Sequence, residues 1–355
     1  MIKDIQLNKP EAIDVTERPA FYNADSNLVT TMNNLEEGKV VLIRSFYSNG
    51  LHLLKELHTH LKKKLPNKTY QEQQVYRDTY RKLSNLILLE IVDNKLEVAK
   101  APSIGWLEKL YPEIQNFHLT LPQVQGLNSS WQWYKKGISI PVLRNKIHPF
   151  YGVYFPTRFE HLEVFDNYLK RYEGPKKAAM DVGVGSGVLS LQMVKHGFQK
   201  VYGTDVNPNA IVGLTEFMGE TKLSRKIELD YAPLFGKFDK PVELIVFNPP
   251  WLPADKDVDG IDEAIYYPEE MFPAFFEAAK ERLLPDGKLV IIFSNLAQIT
   301  NVTTEHPIEN EIANNDRFEL ERTFKKRVNS ASEKTKRNPH WRDLEEVELW
   351  ELKLK

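Results

Sequence analysis

The stretch KAAMDVGVGSGVLSLQMVKHGF, residues 177–198, decides the fold. Its apolar residues up to Val182 predict a buried strand, the glycines that follow predict a tight turn, and a helix begins at about Gly187. The pattern repeats in VYGTDVNPNAIVGLTEFM, where a second strand ends at Asp205 and a helix starts after Pro208. Strands that alternate with helices predict an α/β fold with a parallel, doubly wound sheet, which binds ligands at the carboxyl ends of its strands.

More strands of this sheet follow along the chain. Short apolar runs bounded by polar residues predict strands at 226–229, 244–247 and 288–293, and a helix at 269–284 precedes the last of them. Residues 318–324 and 346–354 read as a closing antiparallel pair of strands. We therefore assign residues 147–355 to one α/β domain.

The residues before this domain show a different sequence pattern. Leucines at three- and four-residue steps predict a helix over 51–65, a helical pattern continues over 70–92, and a shorter helix fits 104–111. The aromatic stretch WQWYKKGISIPVL, residues 131–143, is interpreted as a strand or hairpin that joins the domains. We expect a mainly helical N-terminal domain at 1–146 that recognises the substrate.

Composition excludes several functions. The chain has 355 residues, a formal net charge of −2 and no cysteine, which excludes disulfide frameworks, cysteine-based metal sites and thiol catalysis. The N-terminus lacks the apolar core of a signal peptide and no apolar run approaches membrane-spanning length, so we expect a cytoplasmic protein without a membrane partner. His58 and His60 fall on different sides of a helix, and we expect no metal site.

The glycine turn has the spacing D-x-G-x-G-x-G, with Asp181 ahead of Gly183, Gly185 and Gly187. A dinucleotide fingerprint has the spacing G-x-G-x-x-G and binds an anionic pyrophosphate, which Asp181 would repel. A carboxylate is instead favourable beside an amino group or ribose hydroxyls, and Asp205 at the end of the next strand can accept both hydroxyls of a ribose. We assign these five residues to cofactor binding.

The strand at 244–247 runs directly into Asn248-Pro249-Pro250-Trp251. The prolines fix the loop, the Asn248 side-chain oxygen and the Pro249 carbonyl can each accept a hydrogen bond from one planar –NH2 group, and Trp251 offers a face for stacking. Two acceptors that orient both hydrogens free the nitrogen lone pair and stabilise the positive charge that develops on it. A rigid turn without chemistry is the alternative for this tetrapeptide alone.

Together, the turn, the acid after the second strand and the tetrapeptide resemble the class I S-adenosylmethionine-dependent methyltransferases. The tetrapeptide is similar to the (N/D/S)-P-P-(Y/F/W) motif of the "small-domain" amino-methyltransferases, which include release-factor glutamine N5-methyltransferases and ribosomal-RNA base methyltransferases. The resemblance covers about residues 150–355. It implies a Rossmann-like seven-stranded sheet with the last strand antiparallel, S-adenosylmethionine as the cofactor, and catalysis by Asn248, Pro249, Pro250 and Trp251.

The resemblance suggests four further cofactor contacts. PTRFE, residues 156–160, resembles the P-R-P-E-T segment of the glutamine enzymes loosely, which would place Thr157 and Arg158 over the cofactor, although a plain helix entry fits equally well. Asp230 matches the family position near the adenine amine, with Tyr231 beside it, and a solvated loop aspartate is the alternative there.

The methyl acceptor is less constrained. Residues 1–150 hold 20 Lys and Arg against 15 Asp and Glu, and residues 325–342 hold seven basic residues against one Glu, which favours an exocyclic amine of an RNA base. A solvated loop is the alternative for 325–342. Protein glutamine and a small-molecule amine stay open, because the N-terminal part departs from the glutamine enzymes. We interpret the acidic loop 255–267 as a substrate lid in preference to a calcium site.

Two other classes of function compete with a methyltransferase. A non-catalytic protein that keeps the fold as a scaffold would show an eroded glycine turn or tetrapeptide, and both are intact. A nicotinamide-dependent oxidoreductase would need the G-x-G-x-x-G spacing, which this turn lacks.

Overall fold

A computed structural model describes residues 5–16, 18–66, 70–221, 223–254, 264–329 and 344–355. The chain divides into two compact units, Lys9–Lys135 and a second unit of Lys136–Lys355 together with the residues through Asn8. The predicted division after residue 146 falls inside the second unit. There, Ile138 and Ile147 exchange two antiparallel backbone hydrogen bonds of 2.8 and 3.0 Å.

The first unit combines helices with a five-stranded sheet in which β3 lies between β2 and the antiparallel strands β4 and β5. Its described helices are α1 (Leu28–Glu36), α2 (Tyr47–Lys64), α3 (Tyr70–Ser84), α4 (Trp106–Leu110) and α5 (Leu121–Lys136). Its strands are β1 (Ala20–Tyr22), β2 (Val41–Ile43), β3 (Ile87–Val92), β4 (Lys95–Leu96) and β5 (Phe117–Thr120).

Two sequence expectations for this region were wrong. The helix predicted over 70–92 ends at Ser84, and 87–92 is the buried strand β3. The hydrophobic periodicity of a short run that is apolar on both faces does not distinguish a strand from a helix. Residues 131–136, expected in a strand or hairpin, are the last turns of α5. The predicted mainly helical domain therefore omitted a sheet, although helices do supply most of its regular structure.

The second unit is built on a seven-stranded sheet in the order β13-β14-β12-β9-β6-β7-β8, with only β14 antiparallel to its neighbours. Its longer strands are β6 (Ala178–Val182), β7 (Lys200–Asp205), β8 (Ile227–Tyr231), β9 (Val242–Phe247), β12 (Leu283–Ser294), β13 (Phe318–Arg327) and β14 (Glu346–Leu354), and β10 (Leu252–Pro253) pairs with β11 (Tyr266–Tyr267). Its helices are α6 (Glu160–Arg171), α7 (Val188–Lys195), α8 (Pro208–Thr221), α9 (Met271–Arg282), α10 (Leu296–Ile299) and α11 (Pro307–Asn314). This is the predicted Rossmann-like sheet with its last strand antiparallel.

The centre of the sheet positions the ligand-binding edge. Strand β6 lies between β7 and β9, parallel to both, and β9 is buried along its whole length. The chain order reverses at β6, because β7 and β8 continue to one side of it and β9 and β12 to the other. Parallel sheets bind ligands in the crevice at such a reversal, beyond the carboxyl ends of the strands. The loops after β6, β7 and β9 meet there.

Gly187 is the residue on which the turn between β6 and α7 depends. It precedes α7 with φ of +80°, and a Cβ atom on it would lie 2.6 Å from Cδ1 of Leu214 on α8. An L side chain at this position would have to displace the Leu214 side chain and adopt left-handed backbone.

We predict that Gly187→Ala lowers the free energy of unfolding by about 2 kcal/mol, because alanine would have to adopt left-handed backbone and its Cβ would clash with Leu214. Gly219→Ala is the matched control, since Gly219 lies within α8, has no left-handed backbone, and a Cβ atom added to it would meet nothing within 4 Å. It should be neutral or gain up to about 1 kcal/mol. Urea unfolding of both variants measures the difference, and equal stabilities would contradict this assignment.

Candidate active site

A cavity of about 1150 Å³ opens at the carboxyl ends of β6, β7 and β9. Cavities that hold one small molecule usually measure about 300–1,000 Å³, so this cavity has room for a cofactor and part of a second ligand. Three segments predicted from the sequence line it: the glycine turn, the end of β7, and the tetrapeptide after β9. The start of α6 and the residue before β14 also line the cavity.

The glycine turn lies open to the cavity at two of its three glycines. Gly183 and Gly185 line the cavity and have φ of +70° and +49°, a backbone that favours residues without a Cβ. A Cβ on Gly183 would lie 3.7 Å from the Phe247 ring, and one on Gly185 would lie 4.0 Å from the carbonyl oxygen of Tyr154. Gly187 is not among the lining residues and packs against α8 instead, so its contribution is to shape the turn.

Asp205 joins the glycine turn to the end of β7. Its Oδ2 accepts a hydrogen bond of 2.7 Å from the Gly185 amide, and its Oδ1 accepts one of 2.8 Å from the Asn207 amide. A carboxylate can accept about four hydrogen bonds, and Asp205 also lines the cavity. The two amides hold the carboxylate rigidly in an orientation in which it can still accept hydrogen bonds from vicinal ribose hydroxyls.

Asp181 lies beneath the turn and is not among the residues that line the cavity. Its side chain is fully buried, and Oδ2 accepts a hydrogen bond of 2.6 Å from the Ser190 hydroxyl at the start of α7. Burial raises the pKa of Asp181 to about 7, although the bonds from Ser190 lower it. In this geometry the carboxyl group joins β6 to α7, and its predicted contact with the cofactor amino group stays a prediction.

The wall expected to hold an adenine is formed by other residues than those predicted. Asp230 accepts a hydrogen bond of 2.9 Å from the Lys237 amide and closes the turn after β8. Tyr231 is 49% exposed, and neither residue lines the cavity. The lining there consists of the next three residues, Ala232, Pro233 and Leu234, together with Val206. Their apolar surface suits the face of a purine.

All four residues of the tetrapeptide line the cavity. The indole Nε1 of Trp251 donates a hydrogen bond of 3.3 Å to Asn248 Oδ1, which fixes the amide so that its oxygen is held in place and its second lone pair remains available. The ring of Trp251 meets the ring of His161 edge to face at 5.9 Å. Nothing in the sequence predicted that the tetrapeptide orients its own asparagine.

The start of α6 brings charged groups to the same cavity. Thr157 and Arg158 line it as the loose family segment suggested, and so do Glu160 and His161. Burial lowers the pKa of His161 to about 4, which the charge of Glu160 only partly offsets, so its imidazole is neutral at pH 7. Glu160 belongs to the segment that resembles the glutamine enzymes, and His161 has no sequence signal beyond its position beside that segment.

Glu345 is a lining residue that sequence reasoning missed entirely. It lies one residue before β14, is 1% exposed, and accepts a hydrogen bond of 2.6 Å from Arg158 Nη1. It is 187 positions from Arg158 in the chain. No spacing rule connects residues so far apart, so only the sheet topology could have revealed this pair.

Several sequence expectations concern residues outside the described ranges. The acidic loop 255–267 is described only from residue 264, and the basic segment 325–342 only through 329. Within the described ranges, no group of three or more His, Asp or Glu residues could hold a metal ion. Likewise, none of the helices in the described part is both long and apolar enough to cross a membrane.

Residues 162–322 match the family model of the methyltransferase small domain. They contain the glycine turn, Asp205 and the whole tetrapeptide. Over these residues, a little under half of the chain, the protein is similar to the methyltransferase small domain. The match confirms the family resemblance and, with it, S-adenosylmethionine as the cofactor that the family implies.

Relatives of known name align with parts of the chain. A candidate protein N5-glutamine methyltransferase of Methanocaldococcus jannaschii is 31% identical over 121 residues, 34% of this chain and 57% of its own length. A ribosomal protein L11 methyltransferase of Carboxydothermus hydrogenoformans is 32% identical over 80 residues, and a ribosomal RNA small subunit methyltransferase C of Alcanivorax borkumensis is 33% identical over 78. These alignments cover 22% of this chain and 26% and 23% of the two relatives.

The chain thus spans little more than half of the length of the Methanocaldococcus jannaschii relative. A solved structure of a ribosomal protein L11 methylase from Lactobacillus delbrueckii subsp. bulgaricus superposes with a TM-score of 0.40 at 18% identity, covering 61% of this chain and 90% of that one. That value adds no evidence about the acceptor.

The buried Asp181 predicts a pH dependence of stability. Because its pKa rises from 3.8 to about 7 on folding, the native state keeps a proton that the unfolded state releases between those values. The variant Asp181→Asn has no titrating group at this position and serves as the reference. The free energy of unfolding of the wild type, relative to that of the variant, should therefore fall as pH rises from about 4 to about 7, by about 4 kcal/mol at most. Above pH 7 the difference should stay level.

Urea unfolding of both proteins at half-unit steps from pH 5 to pH 8 tests this, and the exposed Asp286→Asn variant is the control. The difference between wild type and Asp181→Asn should slope downward, whereas the difference for Asp286→Asn should not follow that slope. A wild-type protein that gains stability over this range relative to Asp181→Asn would refute the assignment.

Proposed function

We propose that this protein is an S-adenosylmethionine-dependent N-methyltransferase that transfers a methyl group to a planar nitrogen. The observation that carries the proposal is that Asp205 and the Asn248–Trp251 tetrapeptide line one cavity. A site with Asp205 alone would suit any adenosine ligand. The tetrapeptide alone would be a rigid turn. Their convergence in a methyltransferase small domain favours transfer chemistry.

The cavity suits the cofactor. Gly183 and Gly185 have no side chains, so the cofactor can approach their backbone closely. Asp205 can accept hydrogen bonds from the ribose hydroxyls, and Ala232–Leu234 provide an apolar wall for the adenine. When bound, S-adenosylmethionine supplies a methyl group on a positively charged sulfur, which is left as a neutral thioether. We assign cofactor binding to Gly183, Gly185 and Asp205, with Thr157 and Arg158 nearby.

The tetrapeptide would act on the acceptor. The Asn248 oxygen and the Pro249 carbonyl each accept one hydrogen of the target –NH2 group, which turns the nitrogen lone pair toward the methyl group. Trp251 keeps Asn248 oriented through its indole N–H and stacks on the plane of the acceptor. Held in this way by Asn248 and Pro249, the amine nitrogen would take the methyl group that the bound cofactor supplies and would release one proton to water. The neutral, buried His161 adds no positive charge near this nitrogen.

We propose an exocyclic amine of an RNA base as the acceptor. The net charge of +5 on residues 1–150 supports a nucleic acid, as do the basic residues of 325–342, which we propose as an RNA contact together with the N-terminal domain. The relative named as a ribosomal RNA methyltransferase is consistent with this choice. Protein glutamine is the second candidate, supported by the archaeal relative's name. We further propose that the reaction takes place in the cytoplasm.

We predict that Asn248→Ala abolishes methyl transfer and leaves the affinity for S-adenosylhomocysteine unchanged, since Asn248 contacts the acceptor amine and not the cofactor. Transfer of radioactive methyl groups to cell extract and calorimetric titration with S-adenosylhomocysteine measure the two properties. Asn310→Ala, on the exposed side of α11, is the matched control and should retain full transfer. Undiminished turnover by Asn248→Ala would refute the proposed chemistry.

Trp251→Phe tests the orienting hydrogen bond. Phenylalanine keeps an aromatic face but loses the indole N–H, so kcat should fall about fivefold, the equivalent of about 1 kcal/mol, with no change in the KM for S-adenosylmethionine. Trp251→Ala should also raise the KM for the acceptor, because it removes the stacking surface. Equal kcat for wild type and Trp251→Phe would show that Asn248 needs no such support.

A further inference from the structure

The indole ring of Trp251 contacts the imidazole ring of His161, which lies in the first turn of α6. The ring centroids are 5.9 Å apart, and the ring planes are inclined by 88°. Aromatic pairs favour this edge-to-face arrangement, which sets the tilt of one ring relative to the other. Both residues line the cavity, and His161 is 8% exposed. The contact therefore joins α6 to the tetrapeptide inside the candidate active site.

The side chain of Trp251 needs a support that its own backbone does not provide. The two prolines fix the backbone before it, and after it the Leu252 amide donates a hydrogen bond of 3.1 Å to the carbonyl oxygen of Ile265. Neither constraint sets the side-chain torsions of Trp251. Its hydrogen bond to Asn248 is 3.3 Å long, which is longer than most N–H···O bonds, so a small rotation of the indole would break it.

The start of α6 is anchored to the sheet on two sides. The Glu160 carboxylate accepts hydrogen bonds of 3.1 and 2.8 Å from the backbone and side-chain amides of Asn329, two residues after β13. Arg158 donates one of 2.6 Å to Glu345, the residue before β14. His161 is the next residue after Glu160, so its backbone is held against the sheet. A ring on such a backbone can serve as a fixed support.

The imidazole of His161 makes this contact as a neutral ring. Burial lowers the pKa of His161 to about 4, and the nearby charge of Glu160 offsets this only in part. At pH 7 the contact therefore joins two uncharged rings, and its geometry does not depend on a charge. Phenylalanine at this position would preserve an edge-to-face contact, whereas alanine would remove it.

We infer that His161 is a positioning residue for methyl transfer, because its ring holds the Trp251 indole at the angle at which the indole N–H orients the amide oxygen of Asn248. This inference rests on the proposed function, in which that oxygen accepts a hydrogen bond from the target –NH2 group. His161 itself exchanges no proton and forms no bond in the reaction. Loss of its ring should slow the transfer step and leave cofactor binding intact, whichever planar amine is the acceptor.

The first experiment measures the rate of transfer. Purified variants receive radioactive S-adenosylmethionine and total RNA or, separately, total protein from cells that lack the gene, and the material that takes up the label is titrated. His161→Ala should lower kcat about fivefold, as expected for loss of the Trp251 hydrogen bond, with an unchanged KM for S-adenosylmethionine. His161→Phe should keep kcat within about twofold of wild type. An equal loss in both variants, or no loss in His161→Ala, would overturn the inference.

His306→Ala is the matched control for a loss of stability. His306 is also 8% exposed, contacts the rings of Phe293 and Trp350, and does not line the cavity. Truncation of either histidine should lower the melting temperature, but only His161→Ala should lower kcat at a temperature well below both transitions. A comparable fall in kcat for His306→Ala would attribute the effect to stability and contradict a positioning role.

A double variant tests whether His161 acts through Trp251. Trp251→Phe already lacks the indole N–H, so the addition of His161→Ala should lower kcat by less than about twofold more. Two independent fivefold effects would instead multiply to about 25-fold, and that result would refute the path through the indole.

Exchange of the indole N–H with water reports on the same hydrogen bond without an acceptor. The six tryptophans are labelled with nitrogen-15, and the Trp251 signal is identified by its absence from the spectrum of Trp251→Phe. The exchange rate should rise about fivefold in His161→Ala, as it should in Asn248→Ala, and stay close to the wild-type rate in His161→Phe. A wild-type exchange rate in His161→Ala would overturn the inference.

Two results distinguish this inference from the proposed function. Undiminished turnover by Asn248→Ala would refute the proposed function at its origin. Loss of turnover in Asn248→Ala together with wild-type kcat and wild-type indole exchange in His161→Ala would leave the proposed function standing and reject the role of His161 alone.

Discussion

The hydrogen bond from the Gly185 amide to the Asp205 carboxylate, 2.7 Å long, is the constraint on which the ligand-binding edge depends. It connects the turn after β6 to the end of the neighbouring strand β7, which a parallel sheet holds in register over five residue pairs. Gly183 and Gly185 in this turn adopt left-handed backbone, which favours residues without a Cβ. Sheet register, glycine conformation and an acidic residue thus depend on one another, and the result is a carboxylate that is both anchored and accessible from the cavity.

Buried carboxylates elsewhere in the domain differ in what they do. Burial raises the pKa of Asp166, but hydrogen bonds from His196, Lys170 and Lys195 outweigh it and hold the pKa far below its usual range, so this residue joins α6 to α7 as an ion. The hydrogen bonds that Asp181 accepts from Ser190 come from neutral donors, and burial dominates its pKa. The cost of a buried charge depends on its partners, so a conspicuous acid in a motif can have a structural role.

The second domain could be derived from the sequence because its signals are local. Strand, glycine turn and helix follow each other within 22 residues at 177–198, and the tetrapeptide is contiguous with β9. The first unit was predicted less well, since β3 is apolar on both faces and its pairing with β5 joins residues about thirty positions apart. The burial of Asp181 and the turn closed by Asp230 also escaped prediction, because a sequence identifies an acid after a strand but not the direction of its side chain.

The acceptor side of the cavity shows why a motif names a reaction more readily than a substrate. The tetrapeptide supplies two acceptors for any planar –NH2 group, and adenine, guanine and glutamine all present one. Discrimination must come from a group that meets the atom beside that amine, and such a group can lie anywhere in the chain that the fold brings to the cavity. Glu345 reaches it from the start of β14, 94 positions after Trp251. Excluding the wrong neighbour of a shared –NH2 group discriminates between acceptors as much as attracting the right one does.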